Sequence, residues 1–446
     1  MNRFFYTLCI TLLFPALIGW VALRARRAGG KWNVMSGARF GRYTSPAPLQ
    51  RPIWVHAVSL GEVRAAQPFV QALLDQGETV LLTHMTATGR AEAARLFAEA
   101  IARGRLLQEW LPYDFPCAVR GFFTHYRPLV GVMIEREIWP NVIAVARQRN
   151  VPMMLASARF SDHSLRQTLR IGRVMREAYE SLDMIYAQTL EDAQRLEQTG
   201  AVAVRVSGNF KFDMQLPESE IARGRAFAAA QPRKMLTIAS TREGEDELFI
   251  QAIAQQFKRA RTQGQELSAN VLFCIVPRHP QRFDYVASLL EKAGLPYTRR
   301  SQFTDGGGTA SSSLRLCAQS AVLLGDSLGE MPRYYGASQV AIVAGSFLPL
   351  GGQNLIEACA IGVPVIVGPH THNFEQAAQD AIAEGAALRA ASPEAALQTA
   401  LQLLGDPQRL NQMSQAGAYW VRQHAGAVMR VVDGLNELKR TRAARG

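Results

Sequence analysis

The chain reads as an α/β protein of two doubly wound parallel-sheet domains facing a cleft, with an apolar helix ahead of them. Three observations predict this. Short, continuous apolar runs alternate with amphipathic stretches of helical length from residue 53 onward, the pattern of parallel strands covered on both faces. The rhythm pauses over residues 214–232 and then restarts. A length of 446 residues exceeds what one core supports and suits two domains of roughly 200 residues each.

The elements follow in order. Phe4 to Leu23 holds no charged residue over the length a helix needs to cross a hydrocarbon core, and Arg24, Arg26, Arg27 and Lys31 come straight after it. This predicts an anchor that leaves the large C-terminal part on the cytoplasmic side. The arginines and the lack of a small-residue cleavage site argue against a signal peptide, while Pro15 leaves open a helix that lies in the interface or in an apolar patch. Residues 31–51 are a basic connector. Strands are expected at Ile53 to Val58, Thr79 to Leu82, Leu129 to Ile134, Met153 to Ala156, Met184 to Ala187 and Val204 to Val206. Helices are expected from Ser59 to about Asp75, from Ala87 to Ala102 and from Pro140 to Arg149.

After the linker, with its charged helix, strands are expected at Met235 to Ala239, Val271 to Val276, Ala321 to Leu324, Val340 to Ala344 and Val365 to Val367. Ser240-Thr-Arg-Glu243 fits a capping box opening a helix to about Arg261, and Asp305 to Ser313 is a glycine- and serine-rich loop. The tail is helical and basic. Two Rossmann-like halves result, with domains at 1–30 (anchor), 31–213 and 214–446, the final helix being free to pack back on the first domain.

Composition narrows the function. The five cysteines, at 9, 117, 274, 317 and 359, form no CxxC pair, so neither a disulfide framework nor a zinc site is expected. A net charge of +12 calls for an anionic partner. No nucleic-acid-binding signature accompanies it, and the basic residues are scattered except beside the apolar segment and at Lys439, Arg440, Arg442 and Arg445. An anionic membrane surface and a phosphorylated substrate are the partners this favours.

The richest stretch runs from Gly345 to Pro369. It joins a glycine-rich turn after a buried strand to a short helix expected to start near Gln353, as a nucleotide-sugar pocket would. Gly345, Gly351 and Gly352 let backbone amides approach a phosphate, and Glu357 is placed to accept from ribose hydroxyls; an ordinary strand-turn-helix with a solvated glutamate is the plainer reading. Arg278 after one strand and Asp326-Ser-Leu-Gly-Glu330 after another bring further loops to the same sheet edge.

In the first domain, Glu62 stands in a first helical turn at a strand's carboxyl end. It is a candidate general base, although that position normally serves the helix dipole and depresses a carboxyl pKa unless burial or another carboxylate opposes it. Glu135 and Glu137 flank Arg136 on a neighbouring loop, suited to holding a cation or orienting an acceptor, or to being a plain charged loop. Lys211 lies between two phenylalanines and is suited to neutralising a phosphate, or to a solvated head on a packed stem. His279, His370 and His372 lack metal-ligand spacing and no Asp-x-Asp occurs, so no metal and no cofactor is expected.

Assembled, these residues resemble the bacterial 3-deoxy-D-manno-oct-2-ulosonic acid (Kdo) transferases, membrane-associated glycosyltransferases of GT-B fold. The likeness runs nearly end to end: the apolar helix, His56-Ala-Val-Ser-Leu-Gly-Glu62, Met85-Thr-Ala-Thr-Gly89, Leu111-Pro-Tyr-Asp114, Glu135-Arg-Glu-Ile-Trp-Pro-Asn141, Gly208-Asn-Phe-Lys-Phe-Asp213, Pro277-Arg-His-Pro280, Gly325-Asp-Ser-Leu-Gly-Glu330 and Gly352-Gln-Asn-Leu-Ile-Glu357. The resemblance implies transfer of Kdo from CMP-Kdo to the lipid A precursor lipid IVA at the cytoplasmic face of the inner membrane, with inversion. It implies Glu62 as the base, Glu135 and Lys211 as transition-state partners, and Pro277, Arg278, Leu328, Gly329, Glu330, Asn354, Leu355, Ile356 and Glu357 as the CMP site.

Two departures stand out. The family often has Glu-Thr-Glu where this chain has Glu135-Arg136-Glu137, and proline where it has Leu355. A GT-B-like sugar-nucleotide epimerase and a CMP-binding membrane protein without turnover are the alternatives.

Overall fold

The computed structural model describes residues 1–27, 32–264, 267–303 and 317–443. Lys31, the Asp305 to Ser313 loop and Arg445, singled out above, lie outside them. The chain divides into two compact units, Met1–Met214 with His424–Gly446, and Gln215–Gln423.

The first unit is built on β1 (Ile53–His56), β2 (Val80–His84), β3 (Leu106–Trp110), β4 (Val130–Ile134), β5 (Met153–Ala158), β6 (Met184–Ala187) and β7 (Val204–Val206). All neighbours pair in parallel, in the order β3-β2-β1-β4-β5-β6-β7. β1 is buried at every position because helices cover both faces: Ile53 and Val55 enter one core, and Trp54 between them enters the other. The last helix, Ala427–Ala443, belongs to this unit, and its Val428, Val431, Val432 and Leu435 share a core with Phe69 and Val70 of the helix Leu60–Asp75.

The second unit repeats the plan with β8 (Lys234–Thr241), β9 (Val271–Pro277), β10 (Tyr297–Arg299), β11 (Val322–Leu324), β12 (Val340–Val343), β13 (Val365–Val367) and β14 (Ala387–Arg389). These too are all parallel, in the order β10-β11-β9-β8-β12-β13-β14.

Several elements differ from the sequence reading. β3, β10 and β14 are additional to the strands expected from sequence; β3 is only half-buried and mixes polar with apolar residues, and the other two are three residues long. The helix expected over 87–102 breaks at Phe97 into Ala87–Leu96 and Ala98–Ala102. The capping box at Ser240 does not form. Ser240 instead has φ 60° within a β8 bulge, and the helix starts at Glu245 behind a left-handed Gly244. The helix placed near Gln353 starts at Ile356, because the backbone is still turning at Gly351 (φ 92°) and Gly352 (φ 80°).

The N-terminal helix Arg3–Arg27 lies on the first unit. Tyr6 donates to Asp114 Oδ2 at 2.9 Å, Thr7 contacts the Asn141 side chain at 3.2 Å, and Phe14 packs edge-on against Phe40, Tyr113 and Phe115. Its other face exposes Phe4, Phe5, Leu8, Leu12, Leu13, Leu17, Trp20 and Leu23. Length and composition make it the one candidate membrane span among the described residues.

Candidate functional sites

In the first unit the polar groups gather where β1 and β4 end side by side. Ser59 caps the helix Leu60–Asp75, its hydroxyl oxygen accepting from the Glu62 N–H at 3.4 Å. The Glu62 carboxylate turns back in answer, accepting from the Val58 N–H at 2.7 Å and from the Ser59 hydroxyl at 3.1 Å. Those bonds favour the ionised form. Burial opposes them first, then the charges of Glu137 and Glu135, and the result is a carboxyl pushed up to about 7. Such a group holds and releases protons near neutrality, which a solvated first-turn glutamate does not.

The β4 loop supplies the two charges. Glu135 follows β4 in a left-handed conformation, φ 60°, tied back by its N–H to Ala156 O at 3.0 Å; a side chain there is strained and held by its neighbours. The Trp139 indole N–H donates to Glu137 Oε2 at 3.1 Å, and burial pushes the Glu137 carboxyl above its usual range. Arg136 lies 3.5 Å from the Ser164 hydroxyl and partly offsets the Glu137 shift.

Lys211 sits in the short turn Phe210–Asp213, which three contacts fix. Asn209 accepts from the Lys211 N–H at 3.0 Å, Phe210 stacks on Phe69 at 5.4 Å, and the Asp213 carboxylate accepts from the N–H groups of Gly426 and Val428, capping the last helix. Burial lowers the Lys211 pKa, and Glu135 is the charge that opposes this. Glu62, Glu135 and Lys211 therefore belong to one electrostatic cluster, with Glu137 as a fourth member. Asp114 and Asn141, from two of the sequence motifs, serve structure: Asp114 accepts from the N–H groups of Asn141 and Val142 at 3.1 and 2.9 Å, heading the helix Pro140–Gln148, and burial still pushes its carboxyl up to about 7.

In the second unit the candidate residues lie at strand ends of one sheet. Pro277 ends β9, and Arg278 follows with its N–H on Thr241 O at 2.9 Å. Glu357 and Arg278 are both within electrostatic reach of the buried Tyr335 hydroxyl. Asn354 accepts from the Ile356 N–H at 3.2 Å at the head of the helix Ile356–Ile361, while Leu355 and Ile356 are buried and contribute packing and backbone. Leu328 is exposed beside Gly329, φ 80°. The Glu330 side chain is taken up by Arg300 at 2.7 Å and Arg333 at 2.9 Å, and its carbonyl accepts from the N–H groups of Arg333 at 2.9 Å and Tyr334 at 3.2 Å at the head of the helix Met331–Ala337.

Sequence reasoning passed over Glu245. Its fully buried carboxylate accepts from the N–H groups of Gly345 at 2.6 Å, Phe347 at 2.9 Å and Arg242 at 3.1 Å, and so holds the glycine-rich turn from beneath. The acidic run Glu243-Gly-Glu-Asp246 is the signal in the sequence, and the expected cap at Ser240 draws it one turn too early.

Residues 36–214 match the family described as 3-deoxy-D-manno-octulosonic-acid transferase (kdotransferase). A 3-deoxy-D-manno-octulosonic acid transferase of Bordetella pertussis is 55% identical over 440 residues, covering 98% of this chain and 99% of that protein. Among solved structures, a glycosyltransferase from Rickettsia africae ESF-5 covers 88% of this chain and 98% of its own, with 13% identity and a TM-score of 0.54. A UDP-GlcNAc 2-epimerase from Neisseria meningitidis bound to UDP-GlcNAc covers 87% and 100%, with 14% identity and a TM-score of 0.51. These structures establish the GT-B architecture alone, which transferases and epimerases share.

Proposed function

The chain belongs to the Kdo transferases, and on that footing we propose that it moves Kdo from CMP-Kdo to a phosphorylated lipid A precursor, lipid IVA, with inversion at the sugar's anomeric carbon. The observation that carries the mechanism is the Glu62 carboxyl, pushed up to about 7 at the head of a helix beside two further carboxylates. Glu62 takes the proton from the acceptor hydroxyl as its oxygen bonds to the anomeric carbon. The bond from that carbon to the CMP phosphate oxygen breaks, and CMP leaves with the electron pair.

Lys211, held by the Asn209 turn and facing Glu135, is a cation suited to charge that develops on the departing phosphate. Glu135 keeps that lysine charged and in place. Arg278, with the backbone of Leu328 to Glu330 and the turn from Asn354 to Glu357, forms the CMP site in this reading. Glu357 accepts from the ribose, and Pro277, Leu355 and Ile356 shape the walls.

The N-terminal helix supports work at the cytoplasmic face of the inner membrane. With one face bonded to the first unit through Tyr6, Thr7 and Phe14, it lies in the bilayer interface and does not cross freely. Replacing Leu12 and Leu13 by Asp is expected to release the protein from anionic vesicles in flotation without loss of fold; unchanged flotation would refute this placement.

The deciding experiment supplies purified protein with CMP-Kdo and lipid IVA and follows CMP release and the mass of the lipid product, wild type against Glu62→Ala. Wild type is expected to add sugar, and the variant to bind CMP and add none. Free Kdo without a lipid product would point instead to an epimerase-like hydrolytic activity, and CMP binding with no turnover at all to a binding protein.

A further inference from the structure

Beneath the carboxylate cluster runs a line of buried donors that the mechanism above does not use. The Trp54 indole N–H donates to Thr83 Oγ1 at 2.8 Å, and Thr83 Oγ1 lies 2.8 Å from His56 Nδ1. An indole only donates, so it occupies a lone pair of that hydroxyl and leaves the Thr83 proton to point at an acceptor. His56 Nδ1, 2.8 Å away, is placed to be that acceptor when the ring hydrogen is on Nε2. The competing arrangement, with Nδ1–H donating to Thr83 O, is longer at 3.2 Å, and that carbonyl already accepts from the Ala57 N–H.

With Nδ1 accepting, the ring hydrogen sits on Nε2. That nitrogen is fully buried and has no hydrogen-bond partner among the described residues, and 4.0 Å away lies Glu137 Oε2, the oxygen that also accepts from Trp139. Burial, with His84 beside it, pushes His56 down to about 3, so the ring is neutral and the 4.0 Å approach to Glu137 is not an ion pair.

We propose that Trp54, Thr83 and His56 form a relay that aims the His56 Nε2–H at Glu137, and that Glu137, so oriented, is the positioning residue that keeps Glu62 a working base. This rests on the reading of Glu62 as the base. The need for such a residue follows from the local bonding. Val58 and Ser59 donate to the Glu62 carboxylate and the helix N-terminus favours its charge, so the turn alone would make it a weak base. Among the charges that oppose this, Glu137 acts most and Glu135 next. Glu135 also faces Lys211, which offsets it, while Glu137 is answered by Arg136 and by the neutral donors of Trp139 and His56. Trp139 and His56 together fix where the Glu137 charge sits, and hence how strongly it bears on Glu62.

The test is the pH profile of kcat for the full chain with CMP-Kdo and lipid IVA, comparing wild type with Glu62→Gln, Glu137→Gln, Thr83→Val and Thr83→Ser. Glu137→Gln keeps an oxygen for the Trp139 N–H but loses the charge. Its acid limb is expected to move to lower pH by roughly half a unit, about threefold in relative rate on the acid side. Thr83→Val frees His56 to turn its lone pair toward Glu137, which favours the uncharged carboxyl; its limb moves the same way by less, and Thr83→Ser restores it. Nitrogen-15 spectra of histidine-labelled wild type are expected to show His56 neutral with the hydrogen on Nε2.

An inactive Glu62→Gln together with an unmoved limb in Glu137→Gln would overturn the relay and leave the base reading standing. An active Glu62→Gln would overturn the base reading and the relay with it. A hydrogen found on His56 Nδ1 would overturn the relay alone, even if Glu137 moved the limb.

Discussion

Glu62 and Glu245 hold equivalent places in the two halves of the molecule, each in the first turn of the helix that follows its unit's first strand, and they do opposite work. Among the described residues Glu62 bonds only within its own turn, to Val58 and Ser59, and it stands among other carboxylates. Glu245 reaches across to the β12 loop and spends both oxygens on the backbone N–H groups of Gly345, Phe347 and Arg242. Burial raises both carboxyls above their ordinary range. What separates them is their partners. Carboxylate neighbours leave Glu62 able to take a proton, and three N–H donors commit Glu245 to holding a loop.

The sharpest way to break this contrast is Glu245→Ala. Three backbone donors lose their acceptor inside a buried turn, at about 1 to 3 kcal/mol for each one that finds no water. We expect the second unit to lose several kcal/mol of stability in calorimetry and CMP affinity to fall with it. Normal unfolding with normal CMP affinity would show that the glycine-rich turn holds itself. Glu245→Gln, which keeps one good acceptor, is expected to fall between.

The next effect has the opposite sign. Because the folded-state pKa of Glu62 lies above that of a solvated glutamate, the native chain binds more protons than the unfolded chain between the two values. This group therefore costs stability progressively as pH rises from the ordinary carboxylate range to about 7, and the cost is constant above that. Glu62→Gln is expected to melt higher than wild type at pH 8 and close to it at acid pH. A melting difference independent of pH would show that Glu62 is not held against its charge.

Much of this was legible in the sequence. The continuous apolar runs marked the central strands, and Met184–Ala187 and Val365–Val367 fall where they were expected, because parallel strands buried on both faces leave no polar interruption. Edge strands such as β3 and β10 carry polar residues on a half-open face and lose that mark. The strand-end positions of Glu62 and Glu135 were legible too, but their chemistry was not. Position in a first turn predicts a depressed Glu62 pKa; burial first, and then the charge of Glu137, 75 residues further on and carried by the loop after β4 beside β1, reverse it. Glu245 was lost for a related reason, since Ser240 looks like a helix cap until the β8 bulge carries the helix start past it.

The smallest effect probes the turn itself. Ser59 does two things for Glu62: its oxygen accepts from the Glu62 N–H at 3.4 Å, and its hydroxyl donates to Glu62 Oε1 at 3.1 Å. The first is a long cap bond, so Ser59→Ala is expected to cost about 0.5 kcal/mol in the first unit, the low end for a lost cap. The second favours the ionised carboxyl, so its loss raises the Glu62 pKa further and moves the acid limb of kcat to higher pH, opposite to the shift expected for Glu137→Gln. A pair of opposed shifts from two neighbours of one carboxyl is hard to obtain from general loosening of the site. If both variants move the limb the same way, the polarity of Glu62 is not set by these contacts, and the difference from Glu245 reduces to burial.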